Sequence, residues 1–300
     1  MKKIYSLTVL FFTFFSVSFA QNNATYVNQE ALDRSGGTML LGRTTLSALY
    51  RMPYQSWFEK GQKDYEADSL IINKLKPFAK DLTFKIYAAT WCGDTRRELP
   101  RFIKILADLG VRPSQYELYM VDNHAENYKQ APESTIYGGS IFRVPTFVIE
   151  KDGKELDRII EEPVENLEKD LLSIASGNAY EPAYRLAPRL QNLVRQKGNF
   201  YVIENISKVS AEVQDFKTKA SELNSYAYAL LAQNKPELSL AILRINGLLF
   251  PEEGSVYDYM ADVYLKNGNT KQALASYKKM LELEPDSEYA KSMVEKYSNQ

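Results

Sequence analysis

Apolar residues alternate along one part of the chain and recur at helical spacing along another. Alternation and β-branched or aromatic residues predict four strands, at residues 82–89, 116–121, 146–150 and 155–160. Asp152-Gly153 predicts a hairpin turn between the last two. Helical spacing predicts one helix after the first strand, ending at Gly110, and another that opens at Pro163 and stops at Gly177. This order predicts a mixed sheet with a parallel pair followed by an antiparallel pair.

The segments on either side of this region lack its strand pattern. Residues 21–64 are polar with spaced apolar positions, which predicts a helical N-terminal extension. A shift in composition predicts a linker at residues 177–188, and residues 189–300 are predicted to be helical, with residues 200–203 as a candidate strand. At this length two folded parts are expected, and we expect the parts before and after Gly177 to fold separately.

Similar residues recur in the helical part at a spacing of ~34 residues. The aligned pairs are Leu223 and Tyr257, Ala227 and Ala261, Ser239 and Ala273, Leu243 and Tyr277, and Pro251 and Pro285. This pattern resembles the tetratricopeptide repeat, a helix-turn-helix unit of the same length, with copies at about residues 220–253 and 254–287. Asn234 stands where Gly is usual. The alternative is an unrelated helical bundle that has this spacing by chance.

The repeat resemblance implies stacked helical pairs with a concave surface that binds a protein partner. The family pattern places Tyr257 and Tyr264 in the packing between helices. We therefore expect polar residues of the first helix in each pair, Asn224, Asp258 and Asp262, to form the binding surface.

Charge and cysteine content exclude several function classes. The chain has 37 Lys and Arg against 38 Asp and Glu, a formal net charge of −1, which argues against broad electrostatic binding to nucleic acid or to an anionic membrane. A single Cys excludes an intramolecular disulfide, and a single His excludes zinc sites built from Cys and His pairs. We expect no metal and no other cofactor.

The N-terminus has the layout of an export signal. Two Lys residues precede an apolar stretch over residues 4–19, and Ser18 and Ala20 are small residues at the cleavage positions. The alternative is an uncleaved anchor, but the apolar stretch is short for a span of ~20 residues. We therefore predict a signal peptide at residues 1–20, a periplasmic or secreted product and no stable membrane anchor.

The candidate chemistry lies at residues 91–95 (WCGDT), between the first predicted strand and its helix. Cys92 is therefore expected at a helix N-terminus, where free backbone N–H groups and the helix dipole stabilise a thiolate. Arg96 favours the thiolate and Asp94 opposes it, while Gly93 leaves the sulfur accessible. An unpaired Cys is unusual in an exported protein, so Cys92 requires a functional explanation.

This segment resembles the active-site loop of the thioredoxin family. The matching residues are Trp91, Cys92 and Gly93, then Pro100 in the following helix, and Val144-Pro145-Thr146, which matches the cis-proline segment of the family. The resemblance covers residues 65–176. It implies an α/β thioredoxin fold, a mixed sheet flanked by helices, followed by an all-α tetratricopeptide-like helical domain.

The thioredoxin resemblance also implies roles for individual residues. Cys92 would be the catalytic thiol, with Thr95 and Pro145 beside it. The binding residues would be Trp91, Gly93, Asp94, Arg96, Val144 and Thr146. Two departures change the chemistry, because Thr95 replaces the second Cys of the family motif and Ile86 replaces its buried Asp.

Two functions stay open. The first is an exported monothiol protein that carries out thiol/disulfide exchange on a partner protein held by the repeats, with a low-molecular-weight thiol as a second partner. The second is a non-catalytic adaptor whose Cys92 is not redox-active. His124, after the second predicted strand, is expected to be a loop residue rather than a base.

Overall fold

The computed structural model describes residues 27–132 and 141–298. The predicted signal peptide, residues 1–20, lies outside them. Within these ranges the chain forms a mixed α/β region built on one sheet, followed by a region of helices alone. None of the helices in these ranges has the length and hydropathy of a membrane span.

Six strands form a single mixed sheet within the described residues. They are β1 (Gln29–Leu32), β2 (Thr38–Thr44), β3 (Leu82–Ala88), β4 (Tyr116–Met120), β5 (Thr146–Lys151) and β6 (Lys154–Ile160). Their order is β1-β2-β4-β3-β5-β6, with β3 and β4 parallel and every other neighbouring pair antiparallel. The four predicted strands, now β3 to β6, and their mixed pairing are confirmed. Asp152 and Gly153 form the hairpin turn, with φ of 53° and 71°.

Helices pack against the sheet and make up the rest of the described chain. They are α1 (Leu46–Leu49), α2 (Gln55–Lys63), α3 (Ser69–Ala79), α4 (Gly93–Asp108), α5 (Leu167–Ala175), α6 (Leu186–Lys197), α7 (Asn199–Glu204), α8 (Ile206–Val213), α9 (Ser221–Ala232), α10 (Pro236–Leu249), α11 (Gly254–Lys266), α12 (Thr270–Leu283) and α13 (Glu288–Ser298). The predicted helix after β3 is α4, and Gly110 follows its end with a φ of 73°. The candidate strand at residues 200–203 is wrong, because these residues lie in α7.

The sheet core packs one set of strand side chains against helices α2 to α5. On β3, Phe84 and Ile86 belong to this core, whereas Tyr87 belongs to a separate cluster, as expected when successive side chains point to opposite faces. Phe102 of α4 stacks on Phe147 of β5 with ring centroids 4.1 Å apart. The sheet core therefore fixes α4, and with it the segment that leads from β3 into α4.

The prediction of a helical extension over residues 21–64 is wrong for residues 29–44. β1 and β2 form a hairpin there, and β2 also pairs with β4 in the sheet. The turn is closed by Asp33, whose carboxylate accepts hydrogen bonds from the backbone N–H groups of Ser35 and Gly37 at 2.7 and 2.9 Å. Such a side-chain turn favours a reversal of the chain over helix initiation. Helices begin only after this hairpin, at α1 and α2.

Helix α5 begins later than predicted from Pro163. Its N-cap is Asn166, whose side chain accepts a backbone hydrogen bond from the first turn at 2.9 Å. The carboxylate of Asp170 accepts the backbone N–H of Val164 at 2.6 Å, which holds the preceding residues in a turn. Gly177 follows the helix with a φ of 72°, where the stop is predicted.

Helices α9 to α12 follow the repeat spacing that the sequence shows. The bounds of α10 and α12 are separated by one repeat length. This is also the separation of Pro251 and Pro285. Asn234 and Gly268 are separated by the same length, and both adopt the left-handed conformation, with φ of 58° and 72°. The aligned small residues of the two copies, Ala227, Ala261, Ser239 and Ala273, are all fully buried. The absence of large side chains at these positions lets the paired helices approach closely.

The polar residues predicted to form a binding surface differ in burial, and all three bind other side chains of the helical region. Asn224 is buried and accepts a hydrogen bond from the Asn246 side chain at 2.9 Å, so the prediction that it faces a partner is wrong. Asp258 and Asp262 accept hydrogen bonds from tyrosine hydroxyls of other helices. Both carboxylates are half-buried, so they link neighbouring helices and stay partly accessible, and their part in a binding surface stays a prediction.

The sheet region and the helical region share a core. This shared core combines buried residues of α6 to α11 with Phe142 and Ile160 of the sheet region. The Phe142 ring lies edge-on to the rings of Tyr184 and Tyr226, with centroids 6.1 Å apart in each pair. The sheet region also has a core of its own before Gly177, so the shared core is an interface added to it, and separate folding of the two parts stays a prediction.

Glu222 is a fully buried carboxyl at the junction of α6 and α9. It accepts hydrogen bonds from the backbone N–H of Ala187 at 2.8 Å and from the Thr218 hydroxyl at 3.1 Å. Burial raises the pKa of Glu222 from 4.5 to about 7, although these hydrogen bonds act in the opposite direction. The folded protein thus holds a proton that the unfolded chain has already lost between these two pH values.

We expect stability to fall as pH rises from 4.5 to 7 because of this carboxyl, and the Glu222→Gln variant to lack that loss. Relative to the variant, the wild type should lose about 3 kcal/mol of unfolding free energy between about pH 4.5 and pH 8. Urea denaturation of both proteins at the two pH values measures this difference. Glu237→Gln, at an exposed position of α10, is the control. Equal pH dependence in the Glu222→Gln and Glu237→Gln variants would contradict the assignment.

Candidate functional site

Cys92 lies at the junction of β3 and α4. It is the N-cap residue of α4, with φ of −88° and ψ of 129°, and its carbonyl accepts the backbone N–H of Arg96 at 3.1 Å. The side chain is half-buried, and its thiol donates a hydrogen bond to the carbonyl of Val144 at 3.3 Å. The sulfur therefore lies at the positive end of the α4 dipole, and its proton is bound by the Val144 carbonyl.

Trp91 and Gly93 flank the sulfur in different ways. The indole N–H of Trp91 donates to the carbonyl of Val121 at 2.9 Å, which ties the loop to the end of β4. Gly93 is exposed, and a Cβ added there would meet no atom within 4 Å. The space around Gly93 is therefore open, and the predicted access to the Cys92 sulfur from this side stays a prediction.

Thr95 lies in the first turn of α4 and is fully buried. Its hydroxyl oxygen accepts the backbone N–H of Ala89 at 3.2 Å. This bond joins the end of β3 to the first turn of α4. Thr95 therefore helps to hold Cys92 in place through the backbone of the loop.

The charged residues near Cys92 are engaged with other groups. Asp94 forms an ion pair with Arg97 at 3.0 Å, and Arg97 also binds the buried carboxylate of Glu98 at 2.6 Å. The Nε–H group of Arg96 donates to the carbonyl of Thr90 at 2.8 Å. Arg96 therefore stabilises the loop that precedes Cys92, in addition to any effect of its charge.

The Val144-Pro145-Thr146 segment faces Cys92, as the sequence predicts. The Val144–Pro145 peptide bond is cis. Thr146 donates its hydroxyl proton to the carbonyl of Arg143 at 2.8 Å, and the carbonyl of Pro145 accepts the backbone N–H of Glu161 at 2.7 Å. The segment is therefore held from both sides, and the structure brings Cys92 and Val144 into direct contact.

Lys129, in the loop after β4, is a site residue that the sequence analysis missed. Its side chain is buried, and Nζ donates to the carbonyl of Phe142 at 2.6 Å. Burial lowers the pKa of Lys129 from 10.5 to about 7, and Arg143 acts in the same direction. Negative groups nearby, the Cys92 thiolate among them, oppose this shift. No sequence pattern marks Lys129, because it lies among polar loop residues.

Arg143 connects the Cys92 site to the helical region. The sequence analysis missed this residue as well. Its guanidinium forms an ion pair with Glu161 at 3.1 Å and donates to the carbonyl of Ser221, at the start of α9, at 3.0 Å. The guanidinium also lies over the ring of Tyr184, 5.1 Å from its centroid. The residue that precedes Val144 is thus anchored by the helical region.

Aromatic rings of the helical region lie beside the same loop. Tyr128 packs edge-on against Tyr228 of α9 with centroids 6.1 Å apart, and Tyr228 packs against Tyr259 of α11 at 4.6 Å. Burial raises the pKa of Tyr128 to about 12, with smaller contributions in the same direction from Tyr259 and the Cys92 thiolate. The helical region therefore packs directly against the loop that carries Tyr128.

Other features that could carry chemistry were sought away from Cys92, namely His124, groups of metal ligands and a cavity. His124 is in the loop after β4, as predicted, and its Nδ1 lies 2.7 Å from the Asp122 carboxylate. Across residues 27–132 and 141–298, no three His, Cys, Asp or Glu side chains are grouped to hold a metal.

A cavity of ≈ 530 Å³ lies between β6 and α6, and Cys92 is not among its lining residues. Its charged residues include two ion-paired sets, Arg158 with Glu155, and Arg185 and Arg189 with Glu181.

Comparison of this chain with protein-family models and with curated proteins found no match.

Proposed function

We propose that this chain is a monothiol thioredoxin-like protein that carries out thiol/disulfide exchange at Cys92. The observation that supports it best is the position of Cys92, at the N-terminus of α4 with its thiol against the carbonyl of Val144. Helix N-terminal N–H groups stabilise the thiolate, which is the attacking species in exchange. The open side at Gly93 gives a substrate disulfide access to the sulfur.

The proposed exchange has two balanced steps. The Cys92 thiolate attacks one sulfur of a partner disulfide, forms a mixed disulfide and releases the other sulfur as a thiolate. Because the chain has no second Cys, an external low-molecular-weight thiol then attacks the partner sulfur of the mixed disulfide and releases the Cys92 thiolate. The mixed disulfide is therefore expected to be long-lived when no such thiol is present.

The helical region is proposed to be tetratricopeptide-like and to hold the partner protein. The regular spacing of its helix ends, and the matching left-handed residues Asn234 and Gly268, support this assignment. Export to the periplasm or outside the cell, proposed from the N-terminal sequence, would place Cys92 where disulfide substrates form. The two regions would act together, since Arg143 joins the Cys92 site to α9.

We expect the folded protein to form a mixed disulfide with oxidised glutathione faster than its unfolded chain does. At pH 7 the rate ratio should be about twofold, because the lower nucleophilicity of a stabilised thiolate offsets part of its larger population. Intact-mass spectrometry of folded and urea-unfolded protein measures both rates, with a free cysteine peptide as the control for urea. Protein purified without reductant should also carry an adduct or crosslink at Cys92.

The adaptor alternative makes the opposite prediction for the same experiment. Cys92 is half-buried and its thiol is already hydrogen-bonded to Val144, so an inert thiol would react more slowly in the folded protein than in the unfolded chain. A folded rate below the unfolded rate, with no adduct in freshly isolated protein, would favour the adaptor and reject the exchange function.

A further inference from the structure

Lys129 lies in a tight turn that carries its amine into the protein interior. Its φ is 58°, and its backbone N–H donates to the carbonyl of Asp122 at 2.9 Å. Nζ donates to the carbonyl of Phe142 and lies 4.9 Å from the ring centroid of Tyr128. Phe142 is two residues before Val144, whose carbonyl accepts the Cys92 thiol. One short segment therefore binds both the amine and the thiol.

A buried amine is costly in its charged form unless a negative group compensates for it. Among residues 27–132 and 141–298, the charged groups that face Lys129 are Arg143 and Glu161 from the loops flanking β5 and β6, and Cys92 and Asp94 from the start of α4. Glu161 is ion-paired with Arg143, and Asp94 with Arg97. The Cys92 sulfur, in contrast, meets the neutral carbonyl of Val144.

We propose that Lys129 is the buried counter-charge of the Cys92 thiolate, a positioning residue for the exchange reaction. The inference rests on the proposed function, since it assigns the amine a part in that reaction. When the thiol ionises, one proton leaves sulfur and one proton is gained by the amine, so that the pair keeps a net charge of zero. Lys129 thereby supplies the ionisable group that the second Cys and the buried Asp supply elsewhere in the thioredoxin family, where this chain has Thr95 and Ile86.

The same pair accounts for the fate of the proton during attack. Formation of the mixed disulfide consumes the Cys92 thiolate and leaves the Lys129 ammonium without its counter-charge. The loss of that negative charge favours release of the ammonium proton, which water carries to the departing thiolate of the partner, so that the products are a neutral thiol and a neutral amine. Because the pKa of Lys129 is lowered to about 7, the amine can change its charge at neutral pH.

The aromatic surroundings fit this role. The Tyr128 ring lies beside the amine, and Tyr228 and Tyr259 of the helical region pack behind it. Burial keeps the phenol of Tyr128 protonated at neutral pH, since its pKa is raised to about 12. Tyr128 therefore does not compete with Cys92 as a negative partner of Lys129.

The test is the pH profile of Cys92 alkylation by iodoacetamide in full-length protein. We expect Lys129→Met to shift the midpoint of the profile upward and to slow alkylation at pH 7 about tenfold, the effect of one pH unit. Lys129→Arg should stay within about threefold of the wild type, because it keeps the positive charge. Lys104→Met, which removes a positive charge from an exposed ion pair on α4, is the matched control and should leave the profile unchanged.

Thermal melting shows whether slower alkylation of Cys92 in Lys129→Met comes from the lost charge or from unfolding. Lys129→Met leaves the Phe142 carbonyl without its donor, so its melting temperature should fall, and alkylation is therefore compared at a temperature well below the melting of both proteins. A Lys129→Met profile that superimposes on the wild-type profile overturns the inference.

If the Met variant does not fold, ¹³C NMR titration of the Lys129 Cε in the wild type still tests the inference. Cys92→Ser should then lower the pKa of Lys129 further, and an unchanged titration rejects the pairing.

The outcomes distinguish this inference from the proposed function. If alkylation depends on Lys129 but oxidised glutathione is not attacked, the pairing stands and the exchange function fails. If glutathione is attacked at the same rate in the wild type and Lys129→Met, the exchange function stands and the pairing fails.

Discussion

Removal of residues 178–300 is expected to destabilise the sheet region strongly, although that region contains every strand of the described chain. The truncation would expose Phe142 and Ile160, which are buried in the shared core. Loss of this burial costs about 1.5–3 kcal/mol for each side chain. Arg143 would also lose the Ser221 carbonyl. The total is a large part of the ~5–15 kcal/mol that stabilises a typical domain.

Circular dichroism melting and the alkylation rate of Cys92 measure this effect. The matched control is a truncation after Ser287, which removes α13 and leaves the shared core complete. We expect the short truncation to melt close to the full-length protein. The long truncation should melt at a much lower temperature, and its Cys92 should lose the faster reaction of the folded site and be alkylated at the rate of an unfolded chain. Equal melting of the two truncations would show that the sheet region folds without the shared core.

The strands that the sequence predicts are those marked by the alternation of their own side chains. On β3, alternate side chains face different clusters, which gives a clear period of two. β2 lacks that period, because Met39 and Leu40 are adjacent and both buried. Its position is set by pairing with β4, whose residues lie far away in the chain. Such long-range pairing overrides local propensity, and no local pattern indicates it.

The candidate site likewise contains residues that the sequence predicts and residues that it does not. The contact between Cys92 and Val144 agrees with an expectation that came from two short motifs. Lys129 and Arg143 carry no motif, and their burial depends on residues of the helical region, such as Tyr184 and Ser221, that are far away in sequence. A lysine in a polar loop is normally solvated, so only the packing of the two regions identifies this one as buried.

Thr95→Cys is expected to convert the protein into a disulfide reductase with turnover. Thr95 is fully buried one turn into α4, next to the segment that contains Cys92. The introduced thiolate would attack the Cys92 sulfur of the mixed disulfide and release the partner as a thiolate. An added dithiol reductant then reduces the new disulfide. Because an intramolecular step replaces a bimolecular one, we expect insulin reduction at least about tenfold faster than with the wild type.

Thr95→Ser is the matched control for this variant, because serine and cysteine differ only in the oxygen or sulfur atom. The hydroxyl of Thr95 accepts the backbone N–H of Ala89, and serine can keep that bond whereas a thiol is a weaker acceptor. The Cys variant should therefore be less stable than the Ser variant by about 1 kcal/mol. It should nevertheless be the only one of the two that reduces insulin with turnover. A folded Cys variant that is no faster than Thr95→Ser would mean that the Cys92 sulfur is not placed for exchange, and the adaptor function would then be favoured.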